Sequence, residues 1–157
     1  MNPKYFQSHE LFPPETIKKY GLDCYSKLDA NLITTIDDIH DLFPGCVMIA
    51  NTWGMSQQSV IKYGTYKYRG YRPKGCGIGS ITGAHYKGKA LDFDVWQGVK
   101  RLSSDHVRHV ILENRDKLPH LKGLEISGWN HVDCYQRKGQ TKDKICLFDI
   151  NNNARYV

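Results

Sequence analysis

Two short stretches of the chain carry residue types that can do chemistry together. "HYKGKALDFD" (residues 85–94) supplies His85 and Asp92, and "GWNHVDC" (residues 128–134) supplies His131. Two neutral imidazoles and one carboxylate are a sensible three-ligand set for zinc, leaving the fourth tetrahedral position to water. Zinc held in this way lowers the pKa of its water from about 16 to about 7 and polarises a carbonyl as a Lewis acid. A neighbouring carboxylate can take a proton and pass it to a leaving amine. Glu125, six residues before His131, is the candidate for that role. A plainer reading fits the same residues: a strand with a polar face, and histidines, two of seven in the chain, that are ordinary surface or core groups.

Ligands this far apart need a scaffold. "KALDFDVW" alternates, placing Leu91, Phe93 and Val95 on one face of a strand and Ala90, Asp92 and Asp94 on the other. Gly88 tolerates the positive φ of a turn that returns His85 toward Asp92. In "GWNHVDC", His131 and Asp133 share a face, so pairing this strand beside Asp92 assembles the set. Asp133 then either orients a ligand histidine or faces solvent, and Asp94 has the same two readings. Ahead of these, "DANLITTIDDIHDLFPG" spaces Leu32, Ile33, Ile36, Ile39 and Phe43 as a helix capped by Asp29. The double proline at 13 and 14 opens a short helix that Gly21 stops. "CVMIANTW" reads as a buried strand, and "SSDHVRHVILENRDKL" as a helix capped by Ser103 or Ser104. "GLEIS", "NHVDC" and "KICLFDI" read as closing strands, and residues 54–83 as one long loop. The pattern predicts a small α+β domain with a central antiparallel sheet flanked by helices, spanning residues 1–157 with 1–27 as an extension packed on it.

The chain has 157 residues, 40% of them hydrophobic, enough for one core. No stretch is long and apolar enough to predict a membrane span, and the first fifteen residues lack the apolar core of a secretion signal, so synthesis in a cytosol is expected. Five widely spaced cysteines with no CxxC pair predict free thiols. A net charge of +6 favours a polyanionic partner: nucleic acid, anionic lipid or a bacterial wall. "KYGTYKYRGYRPK" (residues 62–74) interleaves aromatic and basic residues as single-stranded nucleic-acid surfaces do, and the same residues suit an anionic glycan and peptide.

The two motifs resemble the His-x-x-Gly-x-Ala-x-Asp and Trp-x-His-x-Asp signatures of the zinc D-alanyl-D-alanine carboxypeptidase family, which includes phage L-alanyl-D-glutamate peptidases. The resemblance covers roughly residues 28–135, and the opening "YFQSHELFPPE" is similar to short phage-encoded members. It implies a small α+β fold with zinc on His85, Asp92 and His131. Relatives such as the Hedgehog signalling domain place a glutamate six residues before the last ligand, which implies Glu125 as the base; others place an acid three residues before it, where this chain has Gly128. "GYRP" is similar to the segment whose arginine grips the peptide, implying Arg72 as the contact to a substrate carboxylate, with Arg69 its neighbour and competitor. Trp129 is read either as a wall of the cleft or as core. Gly83 stands where the family commonly has serine, with Ser80 and Thr82 nearby. The implied function is a zinc peptidase acting on peptidoglycan stem peptides, phage or prophage encoded, working on the cell wall or within a virion. The alternatives are a non-catalytic zinc-binding virion or assembly module, and a nucleic-acid-binding domain using residues 62–74.

Overall fold

The computed structural model describes residues 1–80, 83–151 and 153–157. Its elements in chain order are α1 (Ser8–Leu11), α2 (Pro14–Tyr20), a 3-10 segment (Gly21–Lys27), α3 (Ala30–Asp41), β1 (Val47–Ile49) and α4 (Gln57–Tyr63). A 3-10 turn (His85–Lys87), β2 (Ala90–Gln97), β3 (Lys100–Arg101) and α5 (Ser104–Glu113) follow. A further 3-10 turn (Arg115–Lys117) leads to β4 (Gly123–Glu125), β5 (Asn130–Asp133), β6 (Cys146–Phe148) and β7 (Ala154–Tyr156). The fold is a small α+β domain on a seven-stranded, mostly antiparallel open sheet ordered β1-β2-β5-β4-β6-β7, with β3 beside β2.

The helices form where period and caps agree. Asp29 accepts the Asn31 amide at 2.9 Å to start α3, and Leu32, Ile33, Ile36 and Ile39 are buried. Ser103, rather than Ser104, caps α5 by accepting the His106 amide. The long loop expected over 54–83 contains α4, a helix capped by Ser56 with no buried residue.

β2 is the spine. Leu91, Phe93 and Val95 enter the core with Val132 and Leu124, while Asp92 lies on the opposite face by the two-residue period. That opposite face is not open to solvent: Asp94 is buried too, paired with Arg69 and Arg101. The first 27 residues add Phe6, Leu11, Phe12 and Cys24 to the same core.

Among the described residues one pair of strands is parallel, β4 with β6. The reason is where β5 ends: Asp133 lies opposite Gly123, the first residue of β4. A chain leaving β5 is already at the starting end of β4, so the 134–145 loop crosses that end and β6 runs alongside β4 in the same direction.

Candidate metal centre

His85 leads the 3-10 turn that precedes β2, and Gly88 closes that turn with φ +66°, its amide donating to the His85 carbonyl at 3.1 Å. The conformation suits glycine, and so does the space: a Cβ at 88 would lie 1.9 Å from the Lys27 carbonyl oxygen. The Asp29 amide in turn donates to the Gly88 carbonyl at 2.9 Å, tying the turn to the start of α3. On the far side, β2 and β5 pair with Asp92 directly opposite His131. Three side chains distant in sequence are thereby brought to one point.

The ligand atoms are His85 Nε2, Asp92 Oδ1 and His131 Nδ1. They stand 3.2 Å (His85 to Asp92), 3.3 Å (His85 to His131) and 2.6 Å (His131 to Asp92) apart. Tetrahedral bonds of about 2.0–2.1 Å to a metal imply ligand atoms separated by about 3.3 Å. The first two separations fit as they stand, and the third is that of a charge-assisted hydrogen bond. The far nitrogen of His85 confirms the aim of its ring: Nδ1 lies 2.8 Å from the Gly70 carbonyl, an acceptor only, so Nδ1 carries hydrogen and Nε2 turns a lone pair to the centre. The donor set therefore fits a metal ion, and this buried His85–Asp92–His131 group could hold one.

The charges are arranged accordingly. Burial lowers the His85 pKa, favouring the neutral ring a ligand needs. Burial would raise Asp92, but the charges and hydrogen bonds of the two imidazoles override it and hold the carboxyl well below the usual carboxylate range. Burial would likewise depress His131, yet the Asp133 and Asp92 carboxylates push it up to about 10.

Around the triad lies a cleft of about 510 Å³. Glu125, Arg72 and Trp129 all line it. Glu125 is only 6% exposed, and its Oε1 has no hydrogen-bond partner among the described residues. Burial raises its pKa, offset in part by Ser127 and by the charges of His131 and Arg108. Trp129, 42% exposed, is a wall of the cleft rather than core. Arg72 is engaged within the protein, donating from Nη2 to Asp92 Oδ2 at 2.8 Å and from Nε to the Tyr68 carbonyl. It thus occupies the second oxygen of the ligand carboxylate and leaves Oδ1 for the centre. Arg69 is turned away, its guanidinium 3.3 Å from the Tyr66 ring centroid and bound to Asp94, which takes Asp94 out of the ligand set. Ser80 and Gly83 line the cleft, and Thr82 lies outside the described residues.

Sequence reasoning missed Phe148, whose ring meets His131 edge-on at 5.6 Å, and Arg137, which binds Asp133. Phe148 gives no signal beyond an apolar strand. Arg137 stands four residues after Asp133 beyond a strand end, a spacing that predicts no contact outside a helix. The basic aromatic stretch is dispersed: Tyr63 packs on Trp96, Tyr66 on Arg69, Tyr71 on Phe12, and Tyr68 donates to Glu15. Its rings do not form one continuous stacking surface.

Compared with known protein families, curated proteins and solved structures, the chain matches none.

Proposed function

We propose that the protein is a zinc-dependent peptidase that hydrolyses an amide bond in peptidoglycan stem peptides. The observation that carries this reading is the shared cleft: a buried two-histidine, one-carboxylate cluster beside a buried glutamate, one oxygen of which has no partner among the described residues. Zinc suits two imidazoles and a carboxylate, and when bound it would supply Lewis acidity toward a carbonyl oxygen and acidify water. His85, Asp92 and His131 would hold it. Glu125 accepts the proton of the attacking water as the new C–O bond forms, then delivers it to the nitrogen as the C–N bond breaks. Arg72 meets the substrate carboxylate while steadying Asp92, and Trp129 covers one flank of the peptide. The choice of wall peptide rests on the two motifs and on the net charge of +6, which favours an anionic polymer.

The test uses purified cell walls. Zinc-loaded protein should release soluble peptide fragments, chelation should stop release, and Glu125→Gln should lower the rate by about 10²–10⁴-fold while zinc content is retained. Hydrolysis that survives both treatments overturns the mechanism. Stoichiometric zinc with no hydrolysis of wall peptides leaves a binding module instead.

A further inference from the structure

We propose that Asp133 and Arg137 are positioning residues that hold the His131 ring with Nδ1 turned to the metal, and that Gly123 is a glycine to make room for them. The inference rests on the metal-centre reading above.

His131 offers its nearer ring nitrogen, Nδ1, and such a ring binds only if its outer nitrogen, Nε2, carries hydrogen and the ring does not flip. Asp133 Oδ2 lies 3.5 Å from that Nε2, at ion-pair distance. Asp133 is 1% exposed, and its carboxylate is fixed from the other side. Arg137 donates from Nη2 to Oδ2 at 2.7 Å and from Nη1 to Oδ1 at 3.1 Å, and the Tyr135 amide donates to Oδ1 at 2.9 Å. The fork is itself held. Nη1 also reaches the Tyr135 carbonyl, and the Arg137 amide donates to Gln140 Oε1 at 3.0 Å. Gln140 Nε2 donates to the carbonyls of Lys122 and Lys144, bracing the loop across the end of β4. The Arg137 guanidinium lies over the Phe148 ring, which meets His131 edge-on, so the same residue braces both the partner and the packing neighbour of the ligand ring.

Gly123 shows what this arrangement requires of the neighbouring strand. It stands opposite Asp133 in the β4–β5 register, and a Cβ there would lie 2.1 Å from Asp133 Oδ2, 2.5 Å from its Cγ and 2.7 Å from Arg137 Nη1. The carboxylate and its guanidinium occupy the volume a side chain would fill. Ligand histidines characteristically donate their second N–H to a carboxylate or carbonyl, and losing that partner costs about 10–100-fold in metal affinity. His85 uses the Gly70 carbonyl at 2.8 Å; His131 has the Asp133 carboxylate at the ion-pair distance of 3.5 Å.

The experiment compares wild type with Gly123→Ala and Arg137→Lys, measuring zinc affinity by chelator competition, thermal unfolding without metal, and the ring ¹⁵N shifts of both histidines. Gly123→Ala alters no charge and should displace the Asp133 carboxylate; Arg137→Lys keeps the charge and loses the fork. Each should weaken zinc by about 10–100-fold and shift the His131 nitrogens while leaving those of His85 in place. A wild type that binds no zinc overturns the metal centre itself. A wild type that binds, with folded variants binding equally and His131 unshifted, overturns the positioning role alone. Should Gly123→Ala fail to fold, Arg137→Lys decides by the same two readouts.

Discussion

His85 and His131 aim different ring nitrogens at one point, Nε2 from a turn and Nδ1 from a strand. A residue on β5, directly opposite Asp92, needs only the short reach of Nδ1. Glu125 is the residue whose environment makes the sharpest demand. Its burial disfavours charge, and a cation beside it would favour charge, so the two oppose each other. In metal-free protein the Glu125 carboxyl should titrate above the ordinary glutamate range, and adding zinc should move it down; carbonyl ¹³C shifts against pH measure both. A Glu125 that titrates like an exposed glutamate in the metal-free protein removes the physical basis for its role. The cysteines carry a second expectation. Burial raises the thiol pKa of Cys24 and Cys146, and that of Cys134 to about 12, whereas Cys46 and Cys76 are half-buried. Since the thiolate is the nucleophile, a neutral-pH alkylating agent should modify Cys46 and Cys76 first, with the other three reacting only on unfolding, as read by peptide mass spectrometry. That His85, Asp92 and His131 meet was legible in the sequence because the two motifs imply a turn at Gly88 and a face shared by Asp92 and His131, which the strand pairing bears out. The Arg72–Asp92 and Arg137–Asp133 contacts were not, because they depend on where loops come to rest.

Between residue and molecule, the element that most constrains the site is the turn around Gly88, docked on the start of α3. Asp29 does three things there: it caps α3, its amide binds the Gly88 carbonyl, and its carboxylate pairs with Lys89 at 3.0 Å. Asp29→Ala should lower stability by about 1 kcal/mol, the ordinary value of a lost cap, with little change at the ligands. Gly88→Ala should cost more than that. The left-handed backbone alone disfavours a Cβ by about 1–2 kcal/mol, and the clash with Lys27 adds to it. Because the turn sets the separation of His85 and Asp92, this variant should also lose zinc affinity; denaturant unfolding and chelator competition separate the two effects. A Gly88→Ala protein with wild-type stability and affinity would show that the turn does not set the site. The elements differ in how far they could be read beforehand, for a physical reason. α3 and α5 bury one side, and β2 sets apolar residues on one face against two aspartates on the other, so each writes a period into the sequence. α4 has no fully buried residue, and β3 and β7 are short with every residue on the exposed side, so none of the three has a period to find. The parallel β4–β6 pair was hidden because direction follows from where β5 ends.

At the scale of the whole molecule, the site ties together parts of the chain that fold by different means. His85 comes from a turn braced by the N-terminal segment, whose Leu11 carbonyl accepts the Tyr71 amide beside Gly70, while Asp92 and His131 lie on paired central strands. A cation bound by all three is bound only by the folded state, because the unfolded chain leaves the ligands 46 residues apart from first to last. Binding to the native state alone stabilises it by mass action, about 2.7 kcal/mol at a hundredfold excess over Kd. For a chain of this length about 1 kcal/mol shifts Tm by roughly 2–4 °C, so zinc should raise Tm by about 5–11 °C. The rise should disappear on adding a chelator and be absent in His131→Ala, whose metal-free Tm supplies the baseline. The direction with pH follows from the ligands: each must be deprotonated to bind, so the zinc-induced rise should shrink as pH falls. Differential scanning fluorimetry across pH, with and without zinc, measures the whole pattern. A Tm indifferent to zinc at neutral pH, or a rise that His131→Ala retains in full, would mean that the cluster does not bind the ion.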